Sequence, residues 1–364
     1  MATKSTTAAT SPKKAKRVKR APFEIGGVRV AAGASAVVDL PISLLFDHTP
    51  MTLAARVVHG RKPGPVLLVA AAVHGDEING VEIIRRLMRR RGLSSLAGTL
   101  VAVPVVNTFG FINQSRYLPD RRDLNRRFPG SATGSLTSQL AHLFTAEILR
   151  KCTHGIDLHT GAIHRSNFPQ IRANMVDPEV RAMAHAFGVP LLLNAKVRDG
   201  SLRGTAAGMN VPVIVYEAGE ALRYDAMSIR AGYRGVVNVM RHLGMLPPEK
   251  KRHENIVPRA VQTIAQSSTW VRAPVGGLVR ETVRLGSHVA EGDRLGIVSY
   301  PLGADEVAIT AEFAGIVIGK SNLPIVNQGD GLFNIARVAD AEAVLDAVDI
   351  FRDDRESETI GSDE

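Results

Sequence analysis

Apolar and polar positions in the middle of the chain repeat with two periods, one typical of buried strands and the other of amphipathic helices. Residues 66–72 (VLLVAAA) form a continuous apolar run, as expected for a central strand that is covered on both faces. Residues 79–91 follow a short loop and repeat apolar side chains at helical spacing. The other predicted strands are 100–106, 155–158 and 211–216, and the other predicted helices are 136–151, 178–187 and 226–243. This alternation predicts an α/β sandwich.

The pattern changes after about residue 250. Residues 246–254 form a polar, proline-containing linker, and residues 270–337 consist of short strand-like runs that are broken by Gly, Asp and Pro. We therefore predict an all-β domain over 265–339 that is separate from an α/β domain over 21–248. The α/β domain is expected to begin with a β extension.

The composition is that of a globular protein with a sizeable core. The chain has 364 residues, of which 45% are hydrophobic and 22% are charged, and its mean hydropathy is +0.03. No apolar run reaches the roughly 18–20 residues that a membrane-spanning helix needs. The single cysteine, Cys152, excludes an intramolecular disulfide framework. We expect a cytoplasmic protein of two domains.

The net charge of +10 is unevenly distributed. Residues 1–20 carry seven bases and no acid, whereas residues 340–364 carry ten acids and two arginines. We expect a disordered basic tail and an acidic tail there. Residues 21–339 hold 36 bases and 25 acids, so the body is basic by itself. Without aromatic interleaving or a zinc knuckle, nucleic-acid binding is not expected.

The loop after the first apolar strand carries His74 and Glu77, three residues apart. The carboxyl end of a buried strand is where α/β sheets place their ligands. An imidazole and a carboxylate at this spacing can bind one cation. With a third protein ligand from elsewhere in the chain, the fourth coordination position would remain open for water, as in catalytic zinc sites. The alternative interpretation is a surface His74 and an Asp76 that caps the next helix.

Two later strands end in residues that complete such a site. Residues 155–161 place His159 just beyond a short strand, and Asp157 lies on the same side, where it can orient an imidazole. Glu217 follows the apolar strand at 211–216. If its carboxylate faces an activated water, it could take a proton from that water and return it to a leaving amine. The alternative interpretations are that His159 only packs in the core and that Glu217 only forms a salt bridge at the end of its strand.

An arginine-rich segment lies between these strands, with five arginines in the twelve positions 116–127. A charge run is usually a solvated face, which we assign to Arg127 and to one of the two central arginines. Asn125 and Arg126 are different, because an amide beside a guanidinium fork suits a carboxylate. The sequence therefore predicts a small acidic substrate.

Together these segments resemble the succinylglutamate desuccinylase/aspartoacylase family, a branch of the zinc carboxypeptidase-like superfamily. The resemblance is carried by HGDE at 74–77, DLNRRFPG at 123–130, DLHTG at 157–161 and YEAG at 216–219. It implies an α/β/α sandwich with a mixed sheet. It also implies that one Zn²⁺ per chain is bound by His74, Glu77 and His159, with Glu217 as the general base and acid.

The same resemblance implies roles for the arginine-rich segment. Asn125, Arg126 and Arg122 would bind the substrate carboxylate. Arg116 would polarise the scissile carbonyl, and Arg121 and Arg122 compete with it for that role.

The C-terminal domain resembles the barrel-sandwich hybrid of biotinyl and lipoyl carriers. In a carrier, the hairpin between the two halves presents a lysine for modification. The corresponding residues 301–307 contain no lysine. We therefore predict a structural cap or oligomerisation element that narrows access to the zinc, and we expect a homo-oligomer.

The leading hypothesis is a zinc-dependent hydrolase that removes an acyl group from an N-acyl amino acid or a similar small carboxylated amide. The first alternative is a zinc carboxypeptidase that acts on short peptides, which the identity of the released product would distinguish. The second is a non-catalytic protein that binds anions, which metal content and the salt dependence of binding would distinguish. That second alternative leaves Glu217 and the predicted metal ligands unexplained.

Overall fold

The structure is a computed structural model, and it describes residues 20–248, 262–303, 305–338, 348–349 and 351. The predicted basic tail therefore lies outside the described residues up to position 19, as do most of the linker and most of the acidic tail. Arg20 does not belong to a free tail. Its guanidinium donates hydrogen bonds to the carbonyl oxygens of Gly60, Lys62 and Gly98.

The described residues form six α-helices and nineteen strands. The helices are α1 (Asn79–Arg89), α2 (Thr108–Ile112), α3 (Leu136–Glu147), α4 (Pro178–Phe187), α5 (Leu202–Gly208) and α6 (Ala226–His242). The first ten strands are β1 (Phe23–Ile25), β2 (Val28–Val30), β3 (Ala34–Leu44), β4 (Pro50–His59), β5 (Lys62–Ala71), β6 (Ala97–Val103), β7 (His154–Gly161), β8 (Arg165–Ala173), β9 (Leu191–Asn194) and β10 (Val213–Glu220). The other nine are β11 (Thr263–Ala265), β12 (Ser267–Arg272), β13 (Gly277–Glu281), β14 (His288–Val289), β15 (Arg294–Ser299), β16 (Glu306–Thr310), β17 (Gly315–Ser321), β18 (Ile325–Val326) and β19 (Gly331–Arg337).

The central sheet is mixed, and its parallel part consists of β6, β5, β7 and β10 in that order. β5 lies between β6 and β7 and is parallel to both, and β10 is parallel to β7 on its other side. β8 then runs antiparallel to β10. Parallel neighbours direct their carboxyl ends to one edge of a sheet, so the loops after β5, β7 and β10 meet there.

The two faces of this sheet are covered by different layers. In β5, Leu67 and Val69 pack into the core that contains α1, α4 and α6. Leu68 and Ala70 alternate with them and pack into the core that contains α3, α5 and the strands β1–β4. This confirms the predicted α/β/α sandwich with a mixed sheet, and it explains why residues 66–72 are apolar throughout.

Two predicted strand boundaries are wrong in a way that matters for the site. β7 extends to Gly161 and β10 extends to Glu220, so His159 and Glu217 lie within strands rather than after them. The reason for the extension of β10 is its pairing with β8, which continues from Val215 to Gly219. Such pairing depends on a distant segment and leaves no local signal.

The strands before β7 include one predicted strand and the predicted N-terminal extension. The strand predicted at 100–106 is β6, which ends at Val103, before Pro104, and lies between β4 and β5 inside the sheet. The expected β extension is present as the hairpin of β1 and β2 and the long antiparallel pair of β3 and β4. In the described part of the chain no helix is long and apolar enough to cross a membrane.

The C-terminal strands form a small all-β unit that continues the central sheet. β13, β15, β16 and β18 form a four-stranded sheet, whereas β12, β19 and β17 extend the central sheet next to β8. β17 pairs with β8 through Gly319 opposite Asn167. Part of the acidic tail also packs on the main core, because Val348 and Phe351 are buried there. The small unit is therefore joined to the central sheet through β8.

A pair of helical glycines tests the packing of the helical layer. A Cβ at Gly235, within α6, would lie 2.1 Å from a ring carbon of Phe187 in α4. We expect Gly235→Ala to lower the free energy of unfolding by about 1–3 kcal/mol, because overpacking outweighs the better helix propensity of alanine. Gly208 is the matched control, since a Cβ there meets nothing within 4 Å.

In the control, Gly208→Ala should raise the free energy of unfolding by up to about 1 kcal/mol, because only the propensity gain remains. Urea denaturation of both variants measures these changes. Equal effects of the same sign would contradict this account of α4 and α6 packing.

Candidate active site

The loop after β5 is shaped by two positions with unusual backbone requirements. Ala72 has a left-handed φ of 49°, which costs energy for a residue that carries a Cβ. At Gly75 a Cβ would lie 2.0 Å from the carbonyl carbon of Gly110, so only glycine fits. The turn is closed by a hydrogen bond of 3.1 Å from the Glu77 N–H to the His74 carbonyl oxygen. This turn brings both side chains to the same side of the sheet edge.

The carboxylate of Glu77 lies between two imidazoles. Its Oε1 is 2.7 Å from Nδ1 of His74, and its Oε2 is 2.7 Å from Nδ1 of His159. The candidate ligand atoms of the three residues lie within 4.8 Å of one another. None of the three residues exposes more than 6% of its surface. The structure thus brings together the three residues that the sequence predicted as metal ligands.

Each imidazole is oriented by a further carboxylate at its other nitrogen. Asp157 Oδ2 lies 2.8 Å from His159 Nε2, and Asp123 Oδ1 lies 3.2 Å from His74 Nε2. Histidines that bind metals usually have such a partner, which fixes the ring and leaves the first nitrogen for the ion. Two buried imidazoles and a carboxylate, oriented in this way, fit zinc as a donor set.

The alternative interpretation of the first loop is excluded by the same geometry. His74 is buried rather than on the surface, with 4% of its area exposed. The residue at the N-terminal cap of α1 is Ile78, and no side chain there accepts a capping hydrogen bond. Asp76 is buried as well, and burial raises the pKa of its carboxyl group.

The two histidines beside Glu77 stabilise the charged form of its buried carboxylate. Burial by itself would raise the pKa of Glu77, but His74 and His159 hold it well below its usual range. Burial would likewise lower the pKa of His159, but Asp157 and Glu77 raise it well above its usual value. A buried carboxylate needs such compensation, and a divalent cation supplies the same positive charge.

Glu217 is placed beside these residues by the sheet register. It lies opposite His159 of β7 on one side and opposite Gln170 of β8 on the other. Its Oε2 accepts a hydrogen bond of 3.0 Å from Asn167 Nδ2 and forms an ion pair of 3.0 Å with Arg172 Nε. Among the described residues nothing hydrogen-bonds to its Oε1. One carboxylate oxygen is therefore anchored and the other is free to act on a ligand.

These groups line one open cavity with a volume of about 580 Å³. The sequence-predicted residues on its wall are His74, Glu77, Arg116, Asn125, Arg126, Asp157, His159 and Glu217. The wall also includes residues that sequence reasoning missed, namely Arg165, Asn167, Arg172, Lys196, Arg198, Arg203 and Trp270. The cavity is therefore far more basic than the arginine-rich segment alone indicated.

Arg116 connects two acidic groups of the site. Its Nη1 lies 3.3 Å from Glu77 Oε1, and its Nη2 donates a hydrogen bond of 3.0 Å to Asp123 Oδ2. Burial opposes its charge, but Glu77 and Asp123 raise its pKa. The guanidinium is therefore a fixed positive charge beside the predicted metal ligands, as a group that polarises a carbonyl must be.

Asn125 and Arg126 also reach the cavity. Asn125 Oδ1 accepts a hydrogen bond of 2.9 Å from the Leu202 N–H, which orients the amide. Its Nδ2 has no hydrogen-bond partner within the described residues, so it can donate to a ligand. Burial lowers the pKa of Arg126, beside which lie Arg198 and Arg116. Together they form a positively charged corner that suits a carboxylate.

The predicted roles of Arg122 and Arg121 are not supported by their positions. Neither residue lines the cavity, and Arg122 Nε lies 3.8 Å from Asp120 on the exposed side of its loop. The reason is a tight turn at Leu118, whose carbonyl oxygen accepts a hydrogen bond from Arg121 N–H with φ of 59° at Arg121. That turn carries both side chains away from the metal ligands. Arg127 is exposed, as predicted.

Arg203 is the most confined of the cationic groups that the sequence did not indicate. Its Nη2 donates a hydrogen bond of 2.9 Å to the Lys196 carbonyl oxygen, and its Nη1 is buried without a hydrogen bond to any described residue. Burial and the neighbouring Arg172 lower its pKa. Arg172 and Arg203 belong to separate elements, β8 and α5, so their proximity leaves no signal in the sequence.

Known proteins resemble this chain in sequence. Residues 63–243 match the catalytic domain of the succinylglutamate desuccinylase/aspartoacylase family. N-alpha-acetyl-L-2,4-diaminobutyric acid deacetylase of Halomonas elongata is 28% identical over 330 residues, which cover 88% of this chain and 94% of the relative.

Solved structures are similar over most of the chain. The product-bound ectoine utilization protein EutE (DoeB) of Ruegeria pomeroyi is 25% identical with a TM-score of 0.73, covering 83% of this chain and 95% of its own. A succinylglutamate desuccinylase/aspartoacylase of Rhodobacter sphaeroides is 24% identical with a TM-score of 0.74, covering 84% of this chain and 96% of its own. The second likeness concerns the fold alone.

Removal of a ligand or of its orienting partner should change metal affinity to different degrees. We expect His159→Ala to abolish binding of one zinc ion, because it removes one of three protein donors. Asp157→Asn should weaken zinc binding by about 10–100-fold, because it perturbs only the orientation of His159. Elemental analysis and competition with a chelator measure both effects. His142→Ala, at an exposed histidine, is the control, and full zinc content in His159→Ala would show that the ligand is misassigned.

Proposed function

The chain belongs to the succinylglutamate desuccinylase/aspartoacylase family, and from this premise we propose that it is a zinc-dependent deacylase. It hydrolyses the linear amide bond of an N-acyl amino acid or of a similar small carboxylated amide. The observation that carries the proposal is the convergence of His74, Glu77 and His159 with Glu217 in one cavity.

His74, Glu77 and His159 would hold the zinc ion. When bound there, zinc supplies Lewis-acid chemistry, polarising a carbonyl and making water more acidic. The residues themselves supply the position, because each imidazole is fixed by its own carboxylate partner. Their burial keeps the site in a medium where such charges act strongly.

Glu217 is the general base and acid. Asn167 and Arg172 hold its Oε2, so its Oε1 is presented to the cavity in one orientation. From there it removes a proton from the attacking water and returns that proton to the departing amine nitrogen. The ion pair with Arg172 keeps the carboxylate group in place between β8 and the cavity.

The cationic residues bind and polarise the substrate. Arg116 is close enough to Glu77 to act on a carbonyl oxygen beside the metal ligands, and it stabilises the negative charge that develops there. Asn125 and Arg126 bind the substrate carboxylate through amide and guanidinium donors. A substrate held at both places has its amide bond fixed near Glu217.

The substrate class follows from the charge of the wall. A small acidic N-acyl compound would neutralise part of the positive charge of the cavity. The relative in Halomonas elongata is named as a deacetylase of an N-acetylated amino acid, which supports an acetyl or similarly small acyl group.

Replacement of the carboxylate by a neutral amide of the same shape tests the role of Glu217. We expect Glu217→Gln to lower kcat by about 10²–10⁴-fold while zinc content is unchanged, because the amide cannot accept the proton. Glu220→Gln is the matched control, since Glu220 lies on the same strand but binds His164 and Asn322 instead. Steady-state kinetics of both variants measure kcat. An unchanged kcat for Glu217→Gln would refute the role of Glu217 as general base and acid.

Product analysis tests the reaction itself. We expect mass spectrometry to detect a free amino acid released from N-acetyl or N-succinyl amino acids, and a metal chelator to abolish that release. The same panel contains dipeptides and their N-acyl forms. Cleavage confined to peptide bonds would indicate a carboxypeptidase, and no cleavage by zinc-loaded protein would contradict the proposed substrate class.

A further inference from the structure

The strand that carries Glu217 is irregular directly after this residue. From Glu217 to Glu220, β10 advances by three residues, whereas its neighbour β7 advances by two, from His159 to Gly161. The pairing with β8 also shifts between Glu217 and Gly219. A shift of this kind bends a strand and changes the direction of the side chains beside it. The direction of the Glu217 side chain therefore depends on how the next residues are held.

The side chain of Asn79 binds the main chain of these next residues. Its Nδ2 donates a hydrogen bond of 3.3 Å to the Ala218 carbonyl oxygen, and its Oδ1 accepts one of 3.1 Å from the Asp225 N–H. Asn79 is 2% exposed, so the amide is buried with both of its ends bonded to backbone. It therefore fixes the position of the segment that follows Glu217.

Gly219 shows how closely the Asn79 side chain and this segment fit. Its φ of 75° lies in the left-handed region, and a Cβ there would lie 2.5 Å from Asn79 Nδ2. Only glycine allows both this backbone conformation and the close approach of the amide. The amide is therefore packed directly against the main chain between Glu217 and Asp225.

Asn79 is itself fixed to the loop of the predicted metal ligands. It is the first residue of α1 and lies two positions after Glu77. At the next residue, Gly80, a Cβ would lie 2.7 Å from the Cβ atoms of Ala71 and Leu158, so the start of α1 lies directly on β5 and β7. One side chain thus connects the metal-ligand loop to the strand of the proposed general base.

Two backbone hydrogen bonds join the same parts of the chain further from Glu217. The Leu222 N–H donates to the Asp76 carbonyl oxygen at 2.8 Å, and the Ala221 N–H donates to the Gly161 carbonyl oxygen at 3.0 Å. A substitution of Asn79 leaves both of these bonds in place. It therefore changes the contact next to Glu217 without detaching the whole segment.

We propose that Asn79 is a positioning residue for Glu217, which keeps the carboxylate at a fixed place relative to the predicted metal ligands. Proton transfer depends on this placement, because a shift of about 1 Å can slow a reaction about a hundredfold. The inference rests on the proposed deacylase function and adds to it a residue that does not line the cavity.

Removal of the amide should lower kcat and leave KM unchanged. We expect Asn79→Ala to lower kcat by about 10–100-fold, with full zinc content and KM within about twofold of wild type, because only Glu217 is displaced. Asn238→Ala is the matched control and should keep the wild-type kcat. The Asn238 amide also has partners at both ends, the Phe187 carbonyl oxygen and Arg241, but it lies in α6 outside the cavity.

A double-mutant cycle assigns the effect to Glu217. In Glu217→Gln protein the same Asn79→Ala substitution should change kcat by less than about twofold, because the positioned residue no longer transfers a proton. An effect of equal size in both proteins would overturn the proposal, as would an unchanged kcat or a loss of zinc in Asn79→Ala. Asn79→Ser leaves a polar group at the buried position and takes the place of Asn79→Ala if that variant does not fold.

The outcomes separate this proposal from the proposed function. If the cycle contradicts the role of Asn79, the turnover of wild type in the same assay still supports the deacylase. If wild type hydrolyses no substrate, the deacylase fails, and crystal structures of wild type and Asn79→Ala test the positioning. A Glu217 carboxylate that moves by more than about 0.5 Å relative to His74, Glu77 and His159 supports the proposal, and an unmoved carboxylate overturns it.

Discussion

The buried carboxylate of Glu77 is the constraint around which the site is organised. An isolated charge with 2% exposure is strongly unfavourable, so it requires close partners of opposite charge or hydrogen-bond donors. Its oxygens meet His74, His159 and the Thr160 N–H, and Arg116 lies 3.3 Å away. These partners come from three separate segments, and the need to compensate one charge holds the segments together.

The direction of the strands explains how so many groups reach one carboxylate. β5, β7 and β10 are parallel neighbours, so their functional residues lie at one edge of the sheet. β8 runs the opposite way beside β10, and this returns Asn167 and Arg172 to Glu217. The C-terminal strands continue the same sheet and add Trp270 to the cavity wall. A single mixed sheet thus brings the proposed catalytic groups and the cations of the cavity wall together.

The parts of the site that the sequence predicted are those encoded within short segments. His74 and Glu77 are three residues apart in a loop after an apolar strand, and His159 lies two residues from Asp157. Asp157 was expected to orient an imidazole, and it lies 2.8 Å from His159 Nε2. In each case spacing along the chain fixes the separation of the side chains, so a local pattern carries the information. The helix 178–187 was predicted at its observed bounds for the same reason.

By itself, then, the sequence determined the α/β alternation, the candidate metal ligands and the excess of positive charge, because these depend on periodicity, spacing and composition. Only the tertiary structure decided which cations meet. The family resemblance implied the same role for Arg122 as for Arg126, but a tight turn directs Arg122 to Asp120 and away from the cavity. Arg165 and Trp270 are far apart in sequence and gave no common signal, yet strand pairing brings them to 5.0 Å. Pairing between strands that are distant in the sequence fixes such contacts, so the two residues share no local pattern.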